Sequence, residues 1–360
     1  MEQSNEAKGM LDLMIRPAFC VKDGLITHVN DAAGRYTISE GTEIRSLLHT
    51  GAEEYSEFTG GQLFLTLNVC GAPIGASVTS ESGCHIFVLE QESDQAELQS
   101  MALAARELRE PLASVMTVAD RLFPMVSTAD NDAAQDQIAR INRGLFQMLR
   151  VISNMSDAAR YTKESSSQFE VQNVKAVFQE VFDKASALVG QTDVELRFQN
   201  LEQDVYSLVD TEKLERAVYN LLSNAVKFTP RGGYIEAKLV RRGSKLYLTV
   251  QDSGSGVDPK VRGNVYSRYL RQPGVEDGRF GIGLGMVLIR SAAAAHGGTV
   301  LMEHPEGLGA RITMTLTIRQ SSGTLRSNIL KVDYAGERDH GLIELAESLP
   351  SKLYEKEYIN

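Results

Sequence analysis

Two amides and an ammonium share one face of a helix in the run Asn220-Leu221-Leu222-Ser223-Asn224-Ala225-Val226-Lys227. Residues four apart on a helix are neighbours, and Lys227 follows one turn on. Amide oxygens are hard donors that suit Mg²⁺, and an ammonium beside them offsets the charge of phosphate oxygens. A carboxylate, Asp252, closes the alternating run Lys245 to Val250 and leads into Ser253-Gly254-Ser255-Gly256. A second glycine cluster, Gly281-Ile282-Gly283-Leu284-Gly285, runs straight into the apolar helix Met286 to Ala295. Glycines let a backbone adopt unusual dihedrals and approach a ligand closely, and amides at a helix start receive anionic oxygens. An isolated asparagine pair is usually a solvated helix face. Followed by two glycine clusters and a strand-end carboxylate, it describes a nucleotide pocket.

Strands expected over Val194–Asn200, Val205–Val209, Tyr234–Val240, Lys245–Val250, Gly298–Met302 and Arg311–Ile318, with a helix over Thr211–Thr229, hold these residues in a mixed sheet layered on helices. Upstream, apolar or small residues recur at Leu98, Met101, Ala105, Leu108, Leu112, Val115, Ala119 and Leu122. The pattern resumes at Ile138, Ile141, Leu145, Met148, Ile152, Met155 and Ala159. Spacing that alternates three and four marks the seam of a coiled coil or bundle. Pro124 and the polar stretch Ser127 to Asp132 separate the two helices into an antiparallel hairpin. A lone hairpin exposes its stripe, so two copies, or this chain and a related one, are expected to pair as a four-helix bundle. Within the first helix, Pro111 removes the amide that would bond the Glu107 carbonyl, which predicts a bend. With Leu98 at heptad position a, Arg106 falls at b and faces solvent.

The first 94 residues read as a small mixed domain. Phe19-Cys20-Val21 and Leu25 to Val29 flank the turn Lys22-Asp23-Gly24, and strands are expected over Gln62–Cys70, Gly75–Thr79 and Cys84–Glu90. The 360-residue chain is 42% hydrophobic and 23% charged, an ordinary globular composition. Its net charge of −10 argues against sequence-independent nucleic-acid binding. No run reaches transmembrane length, and the first residues lack the marks of a signal peptide, so a cytoplasmic protein is expected. Cys20, Cys70 and Cys84 have no metal-like spacing and read as reduced thiols.

These motifs resemble those of the sensor histidine kinase family. Asn220 to Lys227 resembles its N box, Asp252 to Gly256 its G1 box, Tyr266 to Arg271 its F box and Gly281 to Gly285 its G2 box. Gly307-Leu308-Gly309-Ala310-Arg311 is similar to its final glycine turn, and the heptad hairpin to its dimerisation and phosphotransfer domain. Ala18 to Val21 through His28 to Ala32 resembles the start of a PAS domain. The resemblance implies ATP and Mg²⁺ as cofactors. Asp252 would hold the adenine amino group, Asn220 and Asn224 the Mg²⁺ and phosphate oxygens, Lys227 and Arg271 the phosphates. Gly254, Gly256, Gly281, Gly283 and Gly285 would line the pocket, with an ATP lid over Asp258–Gly281. A response regulator is implied as a partner.

One departure matters chemically. The family's phosphotransfer motif reads His-Glu-Leu-Arg-Thr/Asn-Pro-Leu, and this chain reads Arg106-Glu107-Leu108-Arg109-Glu110-Pro111-Leu112. A neutral imidazole nitrogen can attack phosphorus; a guanidinium stays protonated and offers no lone pair. Glu107 matches the family's acidic catalytic neighbour but has no histidine to activate, and neither helix contains one. Related gyrase-, MutL- and heat-shock-type ATPases carry a glutamate base where this chain has Asn220, and an amide is no general base.

The expected architecture is α+β. It comprises a PAS-like sensor domain (1–94), a hairpin forming a dimeric four-helix bundle (95–163), a two-layer α/β sandwich ATP-binding domain (168–320) and a tail (321–360) with an extended piece and a short helix. The expected function is that of a signalling protein that binds Mg-ATP but has lost autophosphorylation, a pseudokinase. Two alternatives stay open: a kinase acting in trans on a partner's His or Ser/Thr, and a non-catalytic interaction module.

Overall fold

The alternation of apolar residues along Lys245–Asp252 becomes strand β10 of a ten-stranded sheet, with Leu246, Leu248 and Val250 buried on one face. The computed structural model describes residues 9, 11–81, 83–126, 132–161, 167–254, 284–305, 307–319 and 338–355. In chain order the first elements are β1 (Ala18–Lys22), β2 (Leu25–Val29), α1 (Asp31–Gly34), α2 (Ala52–Ser56), β3 (Gln62–Val69), β4 (Ala72–Glu81) and β5 (Cys84–Leu89). The hairpin and the three later strands fall close to where the sequence predicts them, with α1 and α2 between them. The two hairpin helices follow, α3 (Glu92–Val126) and α4 (Asp132–Tyr161). Next come β6 (Glu170–Asn173), α5 (Val174–Val189), β7 (Glu195–Gln199), β8 (Tyr206–Val209), α6 (Thr211–Phe228), β9 (Tyr234–Arg242), β10, α7 (Leu284–Ala295), β11 (Val300–Glu303) and β12 (Arg311–Thr317). A short helix, α8 (His340–Glu344), and a 3₁₀ turn, Ser351–Tyr354, complete the described chain.

The sheet order is β2-β1-β5-β4-β3-β11-β12-β10-β9-β7. All pairings are antiparallel except β7 with β9, and β6 and β8 form a separate pair. Strand β3 of the first unit joins β11 of the second, with Phe64 opposite Val300 and Gln62 opposite Met302. Gly61, at φ +85°, lies against the Met302 carbonyl where a Cβ would not fit, so glycine is needed at this junction. Lys245 pairs with Glu54 at 2.7 Å, Arg290 pairs with Glu90, and the Arg290 guanidinium stacks 4.3 Å over Phe64. The two units therefore form one sheet with polar clamps across the join.

Several boundaries differ from expectation. Helix α3 starts at Glu92 and includes Pro124, which therefore does not separate the two helices, while residues 127–131 lie outside the described residues. Strand β6 and helix α5 were not expected at all. The extended piece expected over Val332–Tyr334 lies outside the described residues, whereas the short helix is present as α8 and is buried.

In the hairpin, each heptad stripe is half covered. Leu98, Ala105, Leu112 and Ala119 of α3 are buried, as are Leu145, Ile152 and Ala159 of α4. The alternate seam residues Leu108, Val115, Leu122, Ile141 and Met148 stay about half exposed. One helix pair can cover only one side of such a stripe.

Candidate nucleotide-binding site

The pocket is built where α6 passes the ends of β10 and α7. Asp210 caps α6 by accepting the Lys213 amide at 3.1 Å, an arrangement worth about 1 kcal/mol. Buried His296 in turn accepts the Asp210 amide at Nε2 (3.0 Å) and donates from Nδ1 to the Ala292 carbonyl (2.7 Å). Burial pushes this imidazole down to about 4. The apolar face of α6, including Leu214, Val218, Leu221, Leu222 and Ala225, packs on the sheet.

Asp252 lies at the end of β10 and is 5% exposed. Its Oδ1 accepts the Gly254 amide at 2.8 Å and its Oδ2 the Ala310 amide at 3.1 Å. Burial raises its pKa, opposed by these amide donors. Each oxygen keeps a lone pair that can accept an amino N–H from a base. A Cβ at Gly254 would strike the Phe228 carbonyl, and one at Gly309 would strike the Asp252 carboxylate. The G1-type glycine is thus pressed against the end of α6, and the last glycine turn against the strand-end carboxylate.

Asn220 is almost wholly buried. Its Nδ2 donates to the Arg216 carbonyl at 2.8 Å, and its Oδ1 accepts from the Arg150 Nη2 of α4 at 3.4 Å. A Cβ on Gly285 would lie 2.8 Å from that same oxygen, so the second glycine cluster reaches α6 here. Asn224 is half-buried. Lys227 pairs through Nζ with Glu347 Oε2 at 3.0 Å. Gly256, Arg271, Gly281 and Gly283, with the expected lid, lie outside the described residues.

These contacts test the fit of Mg²⁺. A guanidinium at the Asn220 oxygen opposes a cation there, so Asn220 does not fit as a metal ligand in this arrangement, and Asn224 is left as the amide of that pair. No cluster of three or more His, Cys, Asp or Glu able to hold a metal occurs among the described residues.

Arg106, Glu107 and Glu110 all lie exposed on α3. A groove of about 870 Å³ is lined by Leu108, Pro111 and Leu112 from this motif on one side and by Val226 and Lys227 of α6 on another. The motif turn and the end of the N-box helix thus share one space.

Four residues near the pocket carried no expectation from sequence. Arg150 and Arg216 are buried cations on α4 and α6, and Glu344 and Glu347 are the acids that meet them. Arg216 also bonds Asn154 at 3.0 Å and Asp157 at 2.6 Å. Burial pushes the Asp157 carboxyl up, against the pull of Arg216 and Arg160. Arg216 stands four residues before Asn220, a spacing that could have been read. The acids lie more than a hundred residues away in sequence and left no local signal.

Residues 209–320 match the family of histidine kinase-, DNA gyrase B- and HSP90-like ATPases. Histidine kinase P4 of Formosa agariphila is 25% identical over 270 residues, covering 72% of this chain and 19% of that protein. Sensor histidine kinase WalK of Bacillus subtilis is 25% identical over 238 residues, covering 65% of this chain and 39% of the relative. The solved structure of full-length ShkA in complex with AMPPNP shares 19% identity, covering 62% of this chain and 47% of that one, with a TM-score of 0.47. The chain spans less than half the length of these two relatives. The family match and the relatives support a place among the sensor histidine kinases.

Proposed function

We propose that this chain is a cytoplasmic signalling protein of sensor histidine kinase type that binds ATP in residues 168–320 without phosphorylating its own hairpin. The observation that carries this reading is Arg106. It is exposed on α3; by the motif resemblance it stands where the family has its phosphoacceptor histidine, and a protonated guanidinium cannot attack phosphorus. The described residues of the nucleotide boxes fit the ATP-binding reading: Asp252 is held at the strand end by two amides, and Gly254, Gly285 and Gly309 are packed where a side chain would collide. No helix among the described residues is long and apolar enough to cross a membrane.

The half-exposed apolar residues of the hairpin support pairing with a second copy or a related chain into a four-helix bundle. The strand pattern of residues 18–89 supports the PAS-like reading of the first unit, and a response regulator is the partner class that goes with the histidine kinase resemblance. A second reading is favoured by the retained boxes, namely transfer to an acceptor on a partner chain, which Asn224→Ala would abolish.

Calorimetric titration with Mg-ATP tests the nucleotide site. The chain binds, and Asp252→Ala weakens adenine-nucleotide affinity at least tenfold, because a buried acceptor for the base is lost. Absence of binding to the unaltered protein refutes this reading and favours a non-catalytic interaction module.

A further inference from the structure

We infer that residues 338–355 form an autoinhibitory strap, whose carboxylates Glu344 and Glu347 hold the cations of the nucleotide site in place of phosphate oxygens. The inference rests on the ATP-binding reading above and adds how that site is kept closed.

Glu347 meets both basic groups that face it. Its Oε2 lies 3.0 Å from Lys227 Nζ on α6, and its Oε1 lies 3.3 Å from Arg150 Nη1 on α4. Glu344 is fully buried, ion-paired with Arg216 and 3.6 Å from Arg150. Carboxylates and phosphates compete for the same donors, since both offer charged oxygens to guanidinium and ammonium N–H groups. Lys227 is the N-box lysine. Arg150, which Glu347 engages, is also the group that occupies the Asn220 oxygen. One acid therefore sits beside the lysine expected to meet phosphate and beside the arginine that blocks an expected metal ligand.

The strap is anchored by contacts unrelated to nucleotide chemistry. Leu342, Ile343, Leu345, Ala346, Leu349 and Tyr354 are buried. Arg143 donates to the Ala346 and Glu347 carbonyls at 3.0 and 2.9 Å, and Gln147 donates to Ala346 at 3.0 Å. Asn142 donates to the Tyr354 carbonyl at 3.0 Å, and the Ser348 hydroxyl reaches the Ser223 carbonyl. These anchors come chiefly from α4, so the strap ties the hairpin to α6. A signal that shifts α4 would loosen the strap and free Lys227 together. A ligand that binds only the open form has its apparent affinity lowered by the fraction of molecules that are open.

The test is nucleotide binding by the full chain as wild type, Glu347→Gln and Arg143→Ala, together with hydrogen exchange of residues 338–355. Glu347→Gln keeps the side-chain shape and removes the charge. Arg143→Ala removes a positive charge outside the pocket and two of the strap's backbone anchors. Both variants are expected to bind Mg-ATP about five- to tenfold more tightly, and saturating Mg-ATP is expected to speed exchange in 338–355 of the wild type. Simple electrostatics predicts the opposite sign for Arg143→Ala, since that change takes a cation away from an anionic ligand. Binding by all three proteins with equal affinity, weaker binding by Arg143→Ala, or exchange unchanged by bound ATP overturns the strap and leaves the ATP site standing. If no protein binds ATP, the functional reading falls and the strap falls with it.

Discussion

His296 shows how much of the pocket depends on one uncharged ring. Its Nε2 must stay unprotonated to accept the Asp210 amide, and Asp210 is the cap of the helix that carries Asn220, Asn224 and Lys227. Burial, with Arg319 and Lys213 nearby, lowers its pKa from 6.5 to about 4, against the weaker raising effect of the Ala292 carbonyl. Because the folded pKa is depressed, the unfolded chain takes up the proton first as pH falls. The stabilisation is therefore whole above pH 6.5 and is lost between 6.5 and about 4, by roughly 3 kcal/mol in all. Urea unfolding at pH 7.5 and at pH 4.5 measures this, and His296→Gln is expected to flatten the difference. At the same scale, Asp252, Asn220, Asn224, Lys227 and the glycines stood out in the sequence because each belongs to a short motif with local spacing. Arg150 and Glu347 did not, because their pairing joins segments far apart in the chain.

Among the elements, the hairpin divides its apolar residues into two groups that should respond differently to mutation. Leu112 is buried between the helices, so Leu112→Ala is expected to lower stability by about 2–5 kcal/mol through a lost contact and a cavity. Val115 is about half exposed on the other side of the stripe. Val115→Asp is expected to leave the monomer folded and to halve the mass measured by light scattering. An unchanged mass would remove the argument for a four-helix bundle. The heptads made both helices legible, because a 3.5-residue repeat survives any tertiary context. The breaks were less so: Pro124, expected to help separate the helices, lies inside α3. Helix α5 shows an equally regular set at Val174, Phe178, Val181, Phe182, Ala185 and Val189, all buried. Its pattern was present in the sequence but carried no chemistry to draw attention to it.

In the whole molecule, the four expected units are less separate than their motifs suggest. The first unit adds its β3 edge to β11, the hairpin packs Leu98, Ala158, Ala159 and Tyr161 on Leu284, Val287 and Leu288, and the last segment wedges between α4 and α6. None of these joins has a sequence signature, since strand-edge pairing uses backbone groups and helix docking uses apolar residues found everywhere in the chain. Their joint effect is to hold the nucleotide domain in one position against the hairpin. With Arg106 in place of a histidine, the hairpin is expected to take up no phosphate even when the nucleotide site is filled. Incubation of the purified full chain with γ-phosphate-labelled Mg-ATP, followed by acid and base treatment of the protein, checks this. No label on the chain is the expected result, and acid-labile, base-stable label would overturn the pseudokinase reading.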